Sequence, residues 1–301
     1  MKLFLLFLIC FSVNLFADIE PVVLPTEVTV EMSLTPDDSL IKDKVWNRWT
    51  TKNFVVCSLS NQQAQYLHEN LEQIKSWLYQ RWSLHDVDFN AECKLICVDD
   101  ENLFKKLFRL EGSSVEVRRD SNGKIKEMVI FLLLNGPPSK TVPMALSEVC
   151  ISEFEQKYGK RFGWWAHRGM SVLNSTPDNI LGSIQQQQSA LLSKEPTFFS
   201  KTLLETTEEE YKKFDPDKKK MYDRVAAIFC LMLKKEFGTV KFQEMLKQAD
   251  STGNKENAVR EVLGFKSYDD FDVTFKRYMK DIVDDAVSGK IPVNYVLVES
   301  N

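Results

Sequence analysis

The residues best placed to do chemistry are Glu148, set in the apolar run Pro143-Met144-Ala145-Leu146-Ser147-Glu148-Val149-Cys150-Ile151, and the following group Gly163-Trp164-Trp165-Ala166-His167-Arg168-Gly169. On a helix, side chains at i and i+4 share a face. Two imidazoles at that spacing reach one metal ion, and a glutamate between them activates the metal-bound water. Glu148 holds the position of that base, but the two flanking positions are Ser147 and Ile151. The chain has 3 histidines, His68, His85 and His167, and none stands at that spacing from another.

The order of these segments resembles the gluzincin, or peptidase MA-like, zinc metallopeptidases. In that family one helix carries His-Glu-x-x-His, and a second, opening with a Trp-x-x-Glu-Gly-like segment, carries the third ligand. The closing helices, Met221 to Gly238, Ala258 to Gly264 and Phe271 to Tyr278, add to the likeness, which spans roughly residues 50–282 by order of elements. It implies an α+β, helix-rich, zincin-like fold: an N-terminal α/β subdomain on a mixed sheet, then a C-terminal helical subdomain. It puts the third-ligand position at Arg168. With Ser147, Ile151 and Arg168 in the three ligand positions, the resemblance implies a degenerate member without zinc, without another cofactor and without peptidase activity. What it leaves is a cleft able to bind a peptide or protein partner, an expectation the fold alone does not establish. Two other readings stay open: an active peptidase whose non-standard site uses Glu148, and a structural envelope protein with no ligand.

In the metal-free reading, Glu148 pairs with Arg168, the guanidinium replacing zinc as the neutralising cation. His167 is offset from Arg168 by about 100° on a helix and is expected to face away. Cys150 reads as core, with a Cys150–His167 nucleophile and base as the weaker alternative. His68-Glu69-Asn70-Leu71-Glu72 imitates half a zinc motif, but Leu67 and Leu71 define the core stripe and no histidine follows at the needed spacing. His85 falls in a loop with Asp86 and Asp88. Trp164 and Trp165 either line a groove or seat one helix on another, and Trp165 is expected in the core. The strand Met128–Leu134 is expected at a sheet edge, presenting Met128, Ile130, Leu132 and Leu134 to an extended peptide held by main-chain hydrogen bonds. Its unbroken hydrophobicity equally fits a central strand covered on both faces.

The elements that must position these residues follow from periodicity. Strands are expected over 53–59 and 94–98, and a hairpin pairs 115–119 with 124–134 around Asn122-Gly123. Helices are expected over 61–82, 101–110, 143–158, 164–174, 178–193, 216–237, 239–249, 254–263 and 267–286, with a β-like tail over 293–298. The organisation is a signal peptide over 1–17, an extended lead-in over 18–44, the α/β subdomain over 45–142, the helical subdomain over 143–286 and a tail over 287–301.

Composition narrows the class. Of the 301 residues, 44% are hydrophobic and 27% charged, which excludes a disordered or fibrous chain. The net charge of −4 and scattered Lys and Arg argue against a nucleic-acid partner. Met1-Lys2 and the apolar run Leu3 to Phe16, ending at Ala17, read as a leader for export. The expected product is secreted or periplasmic, with no membrane span after cleavage. Beyond Cys10 the cysteines are Cys57, Cys93, Cys97, Cys150 and Cys230. Cys57 and Cys97 fall on strands that can be neighbours, so either a disulfide or buried free thiols would fit.

Overall fold

The computed structural model describes residues 44–82, 84, 88–110, 112–136, 138–175, 177–188, 200–249 and 254–290. The expected leader, the lead-in up to residue 43 and the β-like tail lie outside the described residues, as do His85 and Asp86. The fold is α+β and helix-rich, with one mixed five-stranded sheet. All five strands come from the first half: β1 (Asn47–Thr50), β2 (Phe54–Ser58), β3 (Cys93–Val98), β4 (Ser114–Arg119) and β5 (Ile125–Leu133). Two helices are interleaved, α1 (Asn61–Arg81) and α2 (Glu101–Phe108). The described chain beyond them is helical: α3 (Pro138–Tyr158), α4 (Trp164–Leu173), α5 (Pro177–Gln185), α6 (Ser200–Glu205), α7 (Glu208–Lys212), α8 (Pro216–Gln248), α9 (Lys255–Leu263) and α10 (Tyr268–Val287).

The sheet order is β1-β2-β3-β5-β4, with β2, β3 and β5 parallel and the two outer strands antiparallel to their neighbours. This order corrects the expected edge at Met128–Leu134. β5 is internal: Met128 stands opposite Cys93 on one side and Val117 on the other. Met128, Ile130, Leu132 and Leu134 are all buried in the main core, and Val129, Phe131 and Leu133 fill a second core on the other sheet face. A strand that apolar on both faces is stable only when covered on both. The edge beside it is β4, whose alternation is Val115 and Val117 inward, Glu116 and Arg118 outward.

The sheet positions α3. The hairpin turns at Gly123, with φ of 79°, a conformation that glycine adopts without a Cβ clash. β5 then passes through a short loop into α3, which packs back along the sheet, so that Gln156 near its end caps the Ile125 amide at the start of β5. α3 begins at Pro138, earlier than expected, and Pro143 lies inside it. The main core is continuous from Phe54 to Ala286, so sheet and helices share one interior. α4 crosses α8 so closely that a Cβ on Gly169 would lie 2.4 Å from the Ala226 carbonyl oxygen. α8 covers both helices expected over 216–249, and Gly238, at φ 79° and ψ 167°, breaks it where they were expected to part.

Candidate functional site

On α3, residues 148, 152 and 155 fall within about 60° of one another around the axis and form one polar stripe. The stripe lies between β4 and α4. From β4, Arg119 donates to the Glu155 carboxylate at 3.0 Å and to the Ser152 carbonyl at 3.4 Å. From α4, His167 Nε2 meets Glu155 Oε1 at 2.9 Å, and the Phe162 amide donates to that same oxygen at 2.6 Å. Three donors from three segments thus converge on one carboxylate that is 1% exposed. Burial opposes protonation of His167, but Glu155 against it, with Glu148 and Glu208 nearby, holds its imidazole above the usual range. Burial pulls Arg119 down, against the field of Glu155.

One end of the stripe is therefore closed, and Glu148 marks the other. It is half-buried, and no hydrogen bond or ion pair within 4.0 Å reaches its carboxylate among the described residues. The expected pairing with Arg168 is not made. Arg168 lies on the exposed side of α4 with its guanidinium 5.5 Å from the centre of the Tyr211 ring. Burial opposes its charge, and Glu148 first, then Tyr211, Asp223 and Glu208, more than offset that effect. Glu148 and Arg168 thus feel each other across a gap. Tyr211 is itself fixed: it stacks on Trp164 at 4.5 Å and 15°, and its hydroxyl donates to Asp223 at 2.6 Å. Trp164 in turn donates from Nε1 to the Thr206 carbonyl at 2.6 Å.

The other two expected ligand positions point into the interior. Ser147 is buried and accepts from the Asn174 side chain at 2.8 Å, whose Oδ1 accepts from Trp82 Nε1 at 3.1 Å. Ile151 is core. The donor set does not suit zinc: one hydroxyl is already engaged in the interior, one side chain has no donor atom and the third is a cation. Among the described residues, no three His, Cys, Asp or Glu side chains are grouped as a metal ion would require.

The remaining candidates separate. Cys150 is a buried thiol whose carbonyl accepts from the Tyr79 hydroxyl at 3.1 Å, and it lies across α3 from the stripe, near Cys93. His167 faces Glu155 and not Cys150. His68 lies against Trp49, with ring centres 5.0 Å apart. Asp88 pairs at the surface with Lys52. Trp165 is core, and Trp164 is buried in the aromatic stack. Cys57 and Cys97 are on neighbouring strands, but Cys57 stands opposite Ile96 and Cys97 opposite Ser58. The two thiols therefore point to opposite sheet faces and cannot bond.

Sequence reasoning missed Glu155, Arg119 and Tyr211. Glu155 carried a signal, as the i+7 partner of Glu148 on one face of the expected helix; Arg119 and Tyr211 carried none. Among the described residues no helix is long and apolar enough to cross a membrane. No model of a known protein family matches the chain, and neither does any curated protein.

Proposed function

We propose that this is an exported, non-catalytic protein of zincin-like architecture that binds an extended peptide or protein segment along β4. The observation that carries the reading is the position of β4: an antiparallel outer strand that, among the described residues, has a strand partner on one side only, and whose Arg119 reaches Ser152 and Glu155 of α3. Such an edge offers main-chain donors and acceptors to an added strand, so affinity comes from the backbone and selectivity from alternate side chains. Val115 and Val117 favour apolar residues on the α3 side of the added strand. Glu116 and Arg118, paired with each other at 3.3 Å, favour polar residues on the other side.

The active-peptidase reading has less support, because Glu148 has no metal-bound water to act on if Ser147, Ile151 and Arg168 hold no metal. A suitable probe is an acetylated, amidated octapeptide alternating valine and threonine between terminal lysines. Amide hydrogen exchange on the mature protein is expected to show new protection over residues 114–119 when the probe is added, with residues 47–50 unaffected. Absence of binding in the millimolar range, or protection at β1 instead of β4, would overturn the proposal. Stoichiometric zinc in the purified protein, with peptidase activity lost in Glu148→Gln, would replace it with the peptidase reading.

A further inference from the structure

We propose that the strand added to β4 is β4 of a second copy of this chain, set antiparallel about a two-fold axis at Val117, so that two five-stranded sheets join into one. This rests on the β4-edge reading and names the partner. The open N–H and C=O groups of an outer strand lie in the plane of the sheet. An added strand therefore lies beside β4 in that plane and puts its side chains on the same two faces.

β4 is long and regular enough to pair with itself. The register against β5 moves from Arg118 opposite Glu127 to Arg119 opposite Ile125, so the extra residue is Lys126 of β5 and the 6 residues of β4 run unbroken. Residues directly opposite one another in an antiparallel pair share a face. With Val117 opposite Val117 of the second copy, Glu116 stands opposite Arg118, Arg118 opposite Glu116, and Val115 opposite Arg119. On the polar face, Arg118 already meets Glu127 of β5 at 3.2 Å and Glu116 of its own strand at 3.3 Å. The second copy adds its own Glu116 on the open side, so each guanidinium lies between carboxylates of both neighbouring strands. On the α3 face two valines meet at the axis, and Val115 lies against the stem of Arg119, whose head stays on Glu155. Sliding the pair by one full pleat sets Glu116 opposite Glu116 in one direction and Arg118 opposite Arg118 in the other. Like charges directly opposite repel, so the charges select the register about Val117. The other outer strand, β1, has no such match: its one charge is Arg48, with no carboxylate in the strand to face it. A two-fold contact of this kind uses each β4 once and closes at two copies.

The test follows the mass of the mature protein by sedimentation from micromolar to millimolar concentration. One pair of short strands is a small interface, so a reversible dimer that grows with concentration is expected. Hydrogen exchange on the same unmutated samples should show protection over residues 114–119 rising with it, and residues 47–50 unchanged. Glu116→Arg and Arg118→Glu each set like charges opposite one another and should weaken self-association by about tenfold or more. Mixing the two variants restores opposite charges at both positions and should give a mixed dimer. Exchange on the unmutated protein keeps the test valid if a variant folds poorly. A protein that stays monomeric in the millimolar range, while the valine–threonine probe still protects 114–119, would overturn this inference and leave the β4 reading standing. Protection of that strand by neither the second copy nor the probe would remove both. A dimer that leaves 114–119 unprotected, or that persists in both single variants, would place the interface elsewhere and overturn the inference. Loss of association in both variants without recovery in the mixture would overturn the register about Val117.

Discussion

Glu155 on α3 and His167 on α4 face each other at 2.9 Å, and through Arg119 the same carboxylate also ties down the outer strand β4. The His167 imidazole is held above its usual range by Glu155, so its contribution to stability has a definite sign with pH. The folded-state value lies above the unfolded one of about 6.5. The stabilisation is therefore complete below that pH and is lost as pH rises through the folded-state value. Urea midpoints measured from pH 5.5 to 9 are expected to fall across this window in the wild type and to flatten in His167→Asn. An unchanged slope in the variant would place the pH dependence elsewhere. Glu155→Ala, which strands Arg119 and His167 without their anion, is expected to cost about 3–5 kcal/mol.

Asn174 ends α4 and holds two buried groups at once, the Ser147 hydroxyl and the Trp82 indole N–H. Asn174→Leu removes both partners and leaves two polar atoms unsatisfied in the interior. The expected loss is about 2–4 kcal/mol, read as a drop in urea midpoint with unchanged slope. Ser147→Ala removes one weak partner and should cost markedly less. If the two variants are equally stable, the Asn174 bridge does not hold α3 and α4 together as drawn.

What the sequence made legible depended on local chemistry. The β4–β5 hairpin followed from Asn122-Gly123, and the break in α8 followed from Gly238, because each glycine supplies a positive φ where the chain needs it. β1 was not foreseen: it is short, half-buried and recognisable only by its pairing with β2. α7 was missed although Thr207 and Glu210 form a reciprocal cap, a signal present in the residues themselves. The place of β5 was misread because the family likeness was weighted above its hydrophobicity, which already argued for an interior strand. In the site, the i+4 rule found Glu148, but the convergence of Arg119, Phe162 and His167 on Glu155 joins residues from three segments. No periodicity within one segment encodes it.

Gly169 is fixed by packing. Its Cβ would fall 2.4 Å from the Ala226 carbonyl oxygen and 2.6 Å from Cys230 Sγ, where α4 and α8 cross. Backbone cannot yield as a flexible side chain can, so Gly169→Ala must push the two helices apart. A loss of about 1–3 kcal/mol is expected, the usual range for overpacking a filled core. A melting temperature equal to that of the wild type would mean the crossing is looser than described.

The five described cysteines are all free, and their surroundings rank their reactivity. Cys57 is half-buried on the sheet face away from α3, while Cys93, Cys97, Cys150 and Cys230 are buried. Burial pushes the Cys57, Cys93, Cys97 and Cys230 thiols up, Cys57 also feels the opposing fields of Arg48 and Lys94, and Cys150 is enclosed in the core. Reaction with a maleimide at neutral pH is therefore expected to label Cys57 first and slowly, and the other four only after unfolding. Peptide mapping after brief labelling reads the order directly. A Cys57–Cys97 disulfide found in the native protein would contradict the strand register itself, because β2 and β3 place those two side chains on opposite faces.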